Sequence, residues 1–465
     1  MKILFTLLRR VSLLSLLILG TYTTAFASHN LGCSITYTCL GANQYEFTMT
    51  CYGDCAPGSI SLPSTSSLSF SNNGTCAGNV ANLTLDTVPG FGGRPVTELL
   101  CDPALSACNG GAQQSSIEWV YRGIVTLPAG CIWTASYGTC CRSAAVTNLQ
   151  NPNSAGTYVS TTINTNVAPC NNSVQFSNLP IYYGCDSSLV QYNHGATDID
   201  GDTLVFSLIN PQDDNPAGAP LPFVAGLSAT NPAQLVPTTT FQFDSTTGQM
   251  TFLPADNVVQ VVMIGIKVEE IRNGVVIATT IREVQIVIQV NCNNDPPAID
   301  SNGVQGSAIT INGSSLELCR GSFASFDLII QDPNGDSLTV TSNITTAIPG
   351  AVVNYNVDYS VIDSVVLTFT INSINLTPGT YPFVINISDN ACPVPALQLL
   401  GYALVIYGSN YTSNIYCRND DDPVPIIIGD SAGVFLGLGT NPLGLVLDSI
   451  TGIIDLDSSA VGTYD

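Results

Sequence analysis

The chain has 465 residues with only 10% charged, a formal net charge of −23, 40 glycines and 27 prolines; at about 100 to 200 residues per domain this length predicts about three domains. Charge so low beside an ordinary apolar fraction of 45% excludes a disordered chain and a coiled coil, and so few basic residues exclude a surface for nucleic-acid phosphates. Lys2, Arg9 and Arg10 fall at the very start, and beyond them Lys267 is the only lysine and His29 and His194 the only histidines, which removes most enzyme mechanisms.

The first residues read as a secretory leader: a basic start, an apolar run over 11–20, and Ala25-Phe26-Ala27 ahead of cleavage before Ser28. The apolar run is shorter than the ~20 residues that cross a bilayer, so the mature chain is expected to have no transmembrane segment. Asn30-Leu31-Gly32-Cys33 lies beyond the better cleavage site and does not read as a lipid anchor. All 16 cysteines follow the leader, 11 of them from Cys33 to Cys170, and no histidine is close to the Cys51/Cys55 or Cys140/Cys141 pairs. Disulfides in a secreted or cell-surface protein are expected rather than zinc. Each bridge that closes a loop of about 15 residues contributes on the order of 3 kcal/mol.

Along the chain, short β-branched and aromatic runs alternate with turn residues, as in 45–49, 203–208, 283–290 and 365–370. The pattern predicts an all-β protein of tandem antiparallel β-sandwiches, immunoglobulin-like or cadherin-like, behind a disulfide-rich first domain. Turn-rich stretches at 291–297 and 414–425 read as linkers. The expected units are a signal peptide at 1–27, a cysteine-rich β domain at 28–175, β-sandwiches at 176–295 and 296–408, and the start of a further repeat at 409–465. Bridges Cys185–Cys292 and Cys319–Cys392 would each bracket one sandwich, leaving Cys417 without its partner.

Internal repeats support this division. Asp198-Ile199-Asp200-Gly201-Asp202 recurs as Asp332-Pro333-Asn334-Gly335-Asp336, and Asp244-Ser245-Thr246-Thr247-Gly248 as Asp448-Ser449-Ile450-Thr451-Gly452. Gly-Thr-Tyr opens a strand at 379–381 and recurs at 462–464, so the sequence is expected to be part of a longer protein.

Two acidic loops are the candidate metal sites: Asp198, Asp200 and Asp202, then Asp332, Asn334 and Asp336. Oxygen ligands at alternate positions with a glycine for the sharp turn can converge on calcium. Twelve-residue counting puts Ile209 and Asn343 where an EF-hand needs its bidentate glutamate, so further ligands would come from elsewhere, with Glu269, Glu270 and Asp295 as candidates. The same residues also make ordinary hairpin turns, and both readings stand at this point. Ser388-Asp389-Asn390 matches one element of the penicillin-binding serine set, but no Ser-x-x-Lys precedes Lys267. His194 reads as structural rather than as a general base, and Gly90-Phe91-Gly92-Gly93 lacks the strand-loop-helix setting of a nucleotide site.

Ser28-His29-Asn30-Leu31-Gly32, Ile35-Thr36-Tyr37-Thr38-Cys39, Tyr52-Gly53-Asp54-Cys55, Leu127-Pro128-Ala129-Gly130-Cys131, Cys140-Cys141-Arg142 and Asn193-His194-Gly195-Ala196-Thr197-Asp198 together resemble large secreted surface proteins of Bacteroidetes. The resemblance covers nearly the whole mature chain. It implies PKD-like, cadherin-like or immunoglobulin-like repeats, the gliding-motility-associated class and type IX secretion. It also implies display as an adhesin or structural stalk, and short glycosylation signals at Asp202-Thr203-Leu204 and Asp336-Ser337-Leu338. Cys33 stands where that family has a glycine, and Gly53 where it has an arginine. The expected function is thus non-enzymatic, with an unknown glycan or protein as ligand. The alternatives are an array of carbohydrate-binding modules using exposed aromatics such as Trp119 or Trp133, and a glycan-active enzyme with paired carboxylates.

Overall fold

The computed structural model describes residues 30–459 apart from 56–61, 74–79, 97–98, 100, 112–114, 291–293, 308–309, 349–351, 359–363, 393, 411–420 and 429–444. The leader, Cys292, Cys417 and the closing Gly-Thr-Tyr lie outside the described residues.

The first module contains β1 (Asn30–Gly41), β2 (Gln44–Asp54), β3 (Thr65–Asn72), β4 (Leu83–Val96), β5 (Ser116–Thr126), β6 (Ile132–Thr139) and β7 (Thr157–Asn164). They hydrogen-bond in the order β1-β2-β5-β4-β3-β6-β7. Ala42 and Asn43 both take positive φ between Gly41 and its partner Gln44, the two-residue turn whose twist suits a hairpin. Strict alternation along β2 buries Tyr45, Phe47, Met49 and Cys51. β3 pairs with β4 through Thr65–Leu68 and with β6 through Ser69–Asn72, so it turns the corner between two faces. Those faces close over a core that includes Phe47, Trp119, Tyr121 and Trp133.

The second module contains β8 (Gln175–Phe176), β9 (Ile181–Cys185), β10 (Val190–Tyr192), β11 (Ala196–Thr197), β12 (Thr203–Ile209), β13 (Gln212–Asp214), β14 (Ala217–Pro220), β15 (Gln242–Phe243), β16 (Met250–Phe252), β17 (Gln260–Arg272) and β18 (Val275–Gln289). One face runs β12-β17-β18-β9, with β9 parallel to β18, and the other β10-β16-β15. Asn273-Gly274, both at positive φ, turns β17 into β18.

The third module contains β19 (Ala298–Ser307), β20 (Thr310–Asn312), β21 (Ser315–Cys319), β22 (Phe323–Gln331), β23 (Thr339–Ser342), the single turn α1 (Ile344–Ala347), β24 (Val352–Asp358), β25 (Ser364–Asn372), β26 (Gly379–Ser388) and β27 (Leu397–Asn410). The sheet β19-β22-β25-β24 faces β20-β21-β27-β26-β23, with β21 parallel to β27. This is the immunoglobulin plan of strands A-B-E-D on one sheet and C-F-G on the other, with a first strand that crosses to run beside the last. Alternating Ala324, Phe326, Leu328 and Ile330 on β22 fill its core. β28 (Ile426–Ile428) adds to the end of β27. Beyond it the Asp448 turn repeats the Asp244 turn: Gly248 N donates to Asp244 O and Gly452 N to Asp448 O, both at 2.8 Å.

The modules are in contact rather than strung apart. β7 pairs with β18 through Ser160–Ile163, so the sheet runs across the expected boundary at 175/176. Beside that seam the fully buried Arg142 clasps Glu283 with Nη1 and Nη2 at 2.6 and 2.7 Å. The third module lies on the second: Leu397 and Leu399 of β27 join the second module's core. The Asn178 and Asn386 side-chain amides exchange hydrogen bonds of 3.1 and 2.7 Å. A Cβ at Gly401 would come within 2.1 Å of Asn193 Nδ2, so only glycine lets β27 approach this closely.

Disulfides join Cys33–Cys51, Cys39–Cys170, Cys55–Cys108, Cys140–Cys141 and Cys101–Cys392, and Cys131 and Cys185 are also disulfide-bonded. The expected Cys319–Cys392 bridge is corrected: Cys319 is a free, exposed thiol, and Cys392 ties the third module to the first. Cys319 pairs with Tyr407, beside the start of β26, whereas Cys392 follows the end of β26. A ten-residue strand separates them by roughly 30 Å, far beyond disulfide reach.

Candidate functional site

The two acidic loops have the same internal geometry. Asp198 Oδ1 accepts from the backbone N–H groups of Asp200 and Asp202, both at 2.9 Å; Asp332 Oδ1 accepts from Asn334 at 2.9 Å and Asp336 at 3.0 Å. Gly201 and Gly335 sit at φ 81° and 79°, where other residues are strained. That much is an ordinary aspartate turn.

Each loop is completed by an acid from a neighbouring strand. Val205 pairs with Glu269, one residue before Glu270, and Thr339 with Ser388, one residue before Asp389. Glu270 thereby joins Asp198 and Asp202, and Asp389 joins Asp332 and Asp336, each trio offering oxygens within 4.8 Å of one another. At that separation each pair of ionised carboxylates repels by about 3 kcal/mol for an effective dielectric near 20. Burial leads the rise of the Asp198 carboxyl to about 7 and of Glu270 to about 8; against opposing hydrogen bonds, repulsion from Asp202 and Asp200 adds to the first and repulsion from Asp198 and Asp202 to the second. Burial likewise raises Asp389. Asp198 and Asp332 are 7% and 5% exposed, and Oδ2 of each is buried with no hydrogen-bond partner among the described residues, an arrangement that needs a physical explanation.

Both sites sit where one module meets the next. Asn171 Nδ2 donates to Glu270 Oε2 at 2.7 Å and Asn172 N to Asp200 Oδ2 at 2.7 Å. At the second junction Asn294 Nδ2 donates to Asp389 Oδ2 and Asp295 N to Asn334 Oδ1, both at 2.8 Å. The middle residue of each loop, Asp200 or Asn334, therefore grips the incoming linker and stands outside its trio. Glu269 is engaged by Lys267 at 3.0 Å. Glu270 and Asp295 were sequence candidates and fall at these junctions, whereas Asp389, Asn171, Asn172, Asn294 and Arg272 were not legible as site residues in the sequence. The position of Asp389, which matches that of Glu270 relative to its loop, is the signal that would have found the missed ligand.

A third feature lies in the first module, where residues 88–91 bulge out of β4 between the Thr87–Tyr121 and Gly92–Trp119 pairs. They border a groove of about 560 Å3 lined by Pro63, Pro89, Gly93, Arg94 and Trp119 among others. Trp119 and Trp133 are not exposed platforms, being 2% and 1% accessible. Sheet alternation turns both into the core, and a Cβ at position 53 would come within 2.8 Å of the Trp119 ring, so Gly53 is required there.

No family model matches the chain, and no curated protein matches it. Among solved structures, an endo-fucoidan hydrolase from glycoside hydrolase family 107 aligns at 13% identity and TM-score 0.15, over 77% of this chain and 41% of its own. The N-terminal eight Ig domains of Down Syndrome Cell Adhesion Molecule align at 10% and 0.19, over 89% and 43%; Rst D1-D2 aligns at 10% and 0.17, over 50% and 99%. The chain spans less than half the length of the first two. These similarities are too weak for an inference about activity.

Proposed function

We propose that this chain is a non-enzymatic array of immunoglobulin-like sandwiches, displayed outside the cell as an adhesin or structural surface protein, whose module junctions are held by cations. The observation that carries the reading is the second junction. Asp332, Asp336 and Asp389 converge there, with Oδ2 of Asp332 and Oδ1 of Asn294 buried without partners among the described residues, and the linker is hydrogen-bonded through Asn294 to Asp389 and through Asp295 to Asn334 of the loop. A hard divalent cation with oxygen ligands relieves the repulsion and satisfies those atoms, and calcium is the natural one outside a cell. Such a joint fixes one module against the next, which suits a protein that bears load or presents a ligand-binding face. The disulfides fit an oxidising compartment, and among the described residues no helix is long and apolar enough to cross a membrane.

Titration of the full chain with Ca2+ in a calorimeter tests this. Saturable binding that disappears in Asp336→Asn supports the reading, and absence of binding at millimolar calcium rejects it.

A further inference from the structure

The two junctions share one plan, an aspartate loop, a third acid from a neighbouring strand and a linker bonded to both, but they differ in charge two residues beyond the third acid. Two residues beyond Glu270 the chain has Arg272; two residues beyond Asp389 it has Ala391, whose backbone N–H donates to Asp389 Oδ1 at 3.1 Å. Arg272 turns its guanidinium onto the first trio, with Nε and Nη2 at 2.6 and 2.7 Å from the two oxygens of Asp202. Nη2 also donates to Asn171 Oδ1 at 2.8 Å and lies 3.6 Å from Asp200 Oδ2. One fork therefore spans the loop and the linker, the two parts that a bound cation would join. At the second junction no lysine or arginine forms an ion pair with Asp332, Asp336 or Asp389 among the described residues.

We infer that Arg272 is a resident cation that takes the place of the metal, so the first junction is locked by the chain itself and the second alone depends on a metal. This rests on reading the trios as cation sites. A bidentate guanidinium neutralises Asp202 and holds Asn171 with fixed geometry, and a divalent ion must displace it to reach both oxygens. Asp198 Oδ2, buried and without a partner among the described residues, stays behind as the remnant of a coordination shell that the arginine only partly fills. The consequence is a protein with unequal joints, rigid between the first two modules in any medium and responsive to free calcium between the second and third.

Calorimetric stoichiometry of calcium binding to the full chain and its variants provides the test. The wild type binds one ion, Asp336→Asn binds none, and Asp202→Asn still binds one. Arg272→Ala binds two, the added site being lost again in Arg272→Ala/Asp202→Asn. A wild type that binds two ions, one of them lost in Asp202→Asn, overturns the inference, as does a folded Arg272→Ala protein with no added site. Failure of the cation reading at the second junction has its own signature, a wild type that binds nothing while Arg272→Ala binds one ion. If Arg272→Ala does not fold, the comparison of Asp202→Asn with Asp336→Asn in the wild-type background decides, because loss of an ion in the former contradicts the arginine's role.

Discussion

Replacing Arg142 with methionine removes the positive half of an ion pair whose two side chains are each 1% exposed. Glu283 Oε1 then keeps only the N–H of Gln212 at 3.0 Å, and the carbonyl of Gln212 loses its bond from Arg142 Nη2 at 2.9 Å. Removing one partner of a buried pair typically costs about 3–5 kcal/mol, because the other charge is left without compensation. Near 2–4 °C per kcal/mol for domains of about 150–250 residues, the thermal midpoint of this part falls by roughly 6–20 °C. Removing both charges in Arg142→Met/Glu283→Leu restores much of the loss, so the two substitutions are strongly non-additive. Urea unfolding of the oxidised wild type, both single variants and the double variant gives the cycle. Single variants that each cost under about 1 kcal/mol and add up in the double would refute the view that this clasp fastens the first module to the second.

Peptide mapping of the oxidised protein should recover Cys101 linked to Cys392, and Cys319 should be alkylated without denaturant; a Cys319–Cys392 peptide would contradict the packing of the third module against the first. His194 is fully buried, and burial followed by the charge of Arg282 holds its imidazole well below the usual range. It stays neutral in the folded chain while the unfolded chain takes up a proton below about pH 6.5, so stability present above that pH falls by about 1.4 kcal/mol per unit as the pH drops. His194→Phe, which keeps a ring against Tyr192 and Phe176, should be less acid-sensitive than the wild type between pH 6.5 and 5; equal slopes would show that the imidazole does not titrate on unfolding. Phe369 stacks on Phe326 at 4.6 Å in the third module's core, and Phe369→Ala should cost about 3–5 kcal/mol in chemical denaturation; a loss under 1 kcal/mol would mean that this core is not closed.

The all-β architecture was legible because two-residue alternation and turn chemistry are local: β2 and β22 announce their buried faces, and Asn273-Gly274 announces its hairpin. The aspartate loops were legible for the same reason. Of their third ligands, Glu270 was among the sequence candidates, but Asp389 was not, since it meets its loop only through strand register and was set aside inside a Ser-Asp-Asn triplet. The packing of modules was equally hidden. Cys392 reaches Cys101 because β27 lies on β10 and β18 continues a sheet begun by β7, and neither contact leaves a periodic trace in the chain. Trp119 and Trp133 were taken for exposed platforms because residue type alone does not say which face of a strand a position occupies.

The most direct test of calcium as the fastener of the second junction is the thermal midpoint of the full chain in calcium and in chelator, beside Asp336→Asn. Calcium at about a hundred times its dissociation constant stabilises the site-bearing part by about 2.7 kcal/mol. The wild type should therefore melt several degrees lower in chelator, and the variant should melt at one temperature in both. Identical midpoints for the wild type with and without calcium would contradict the account and leave the acidic loops as turns.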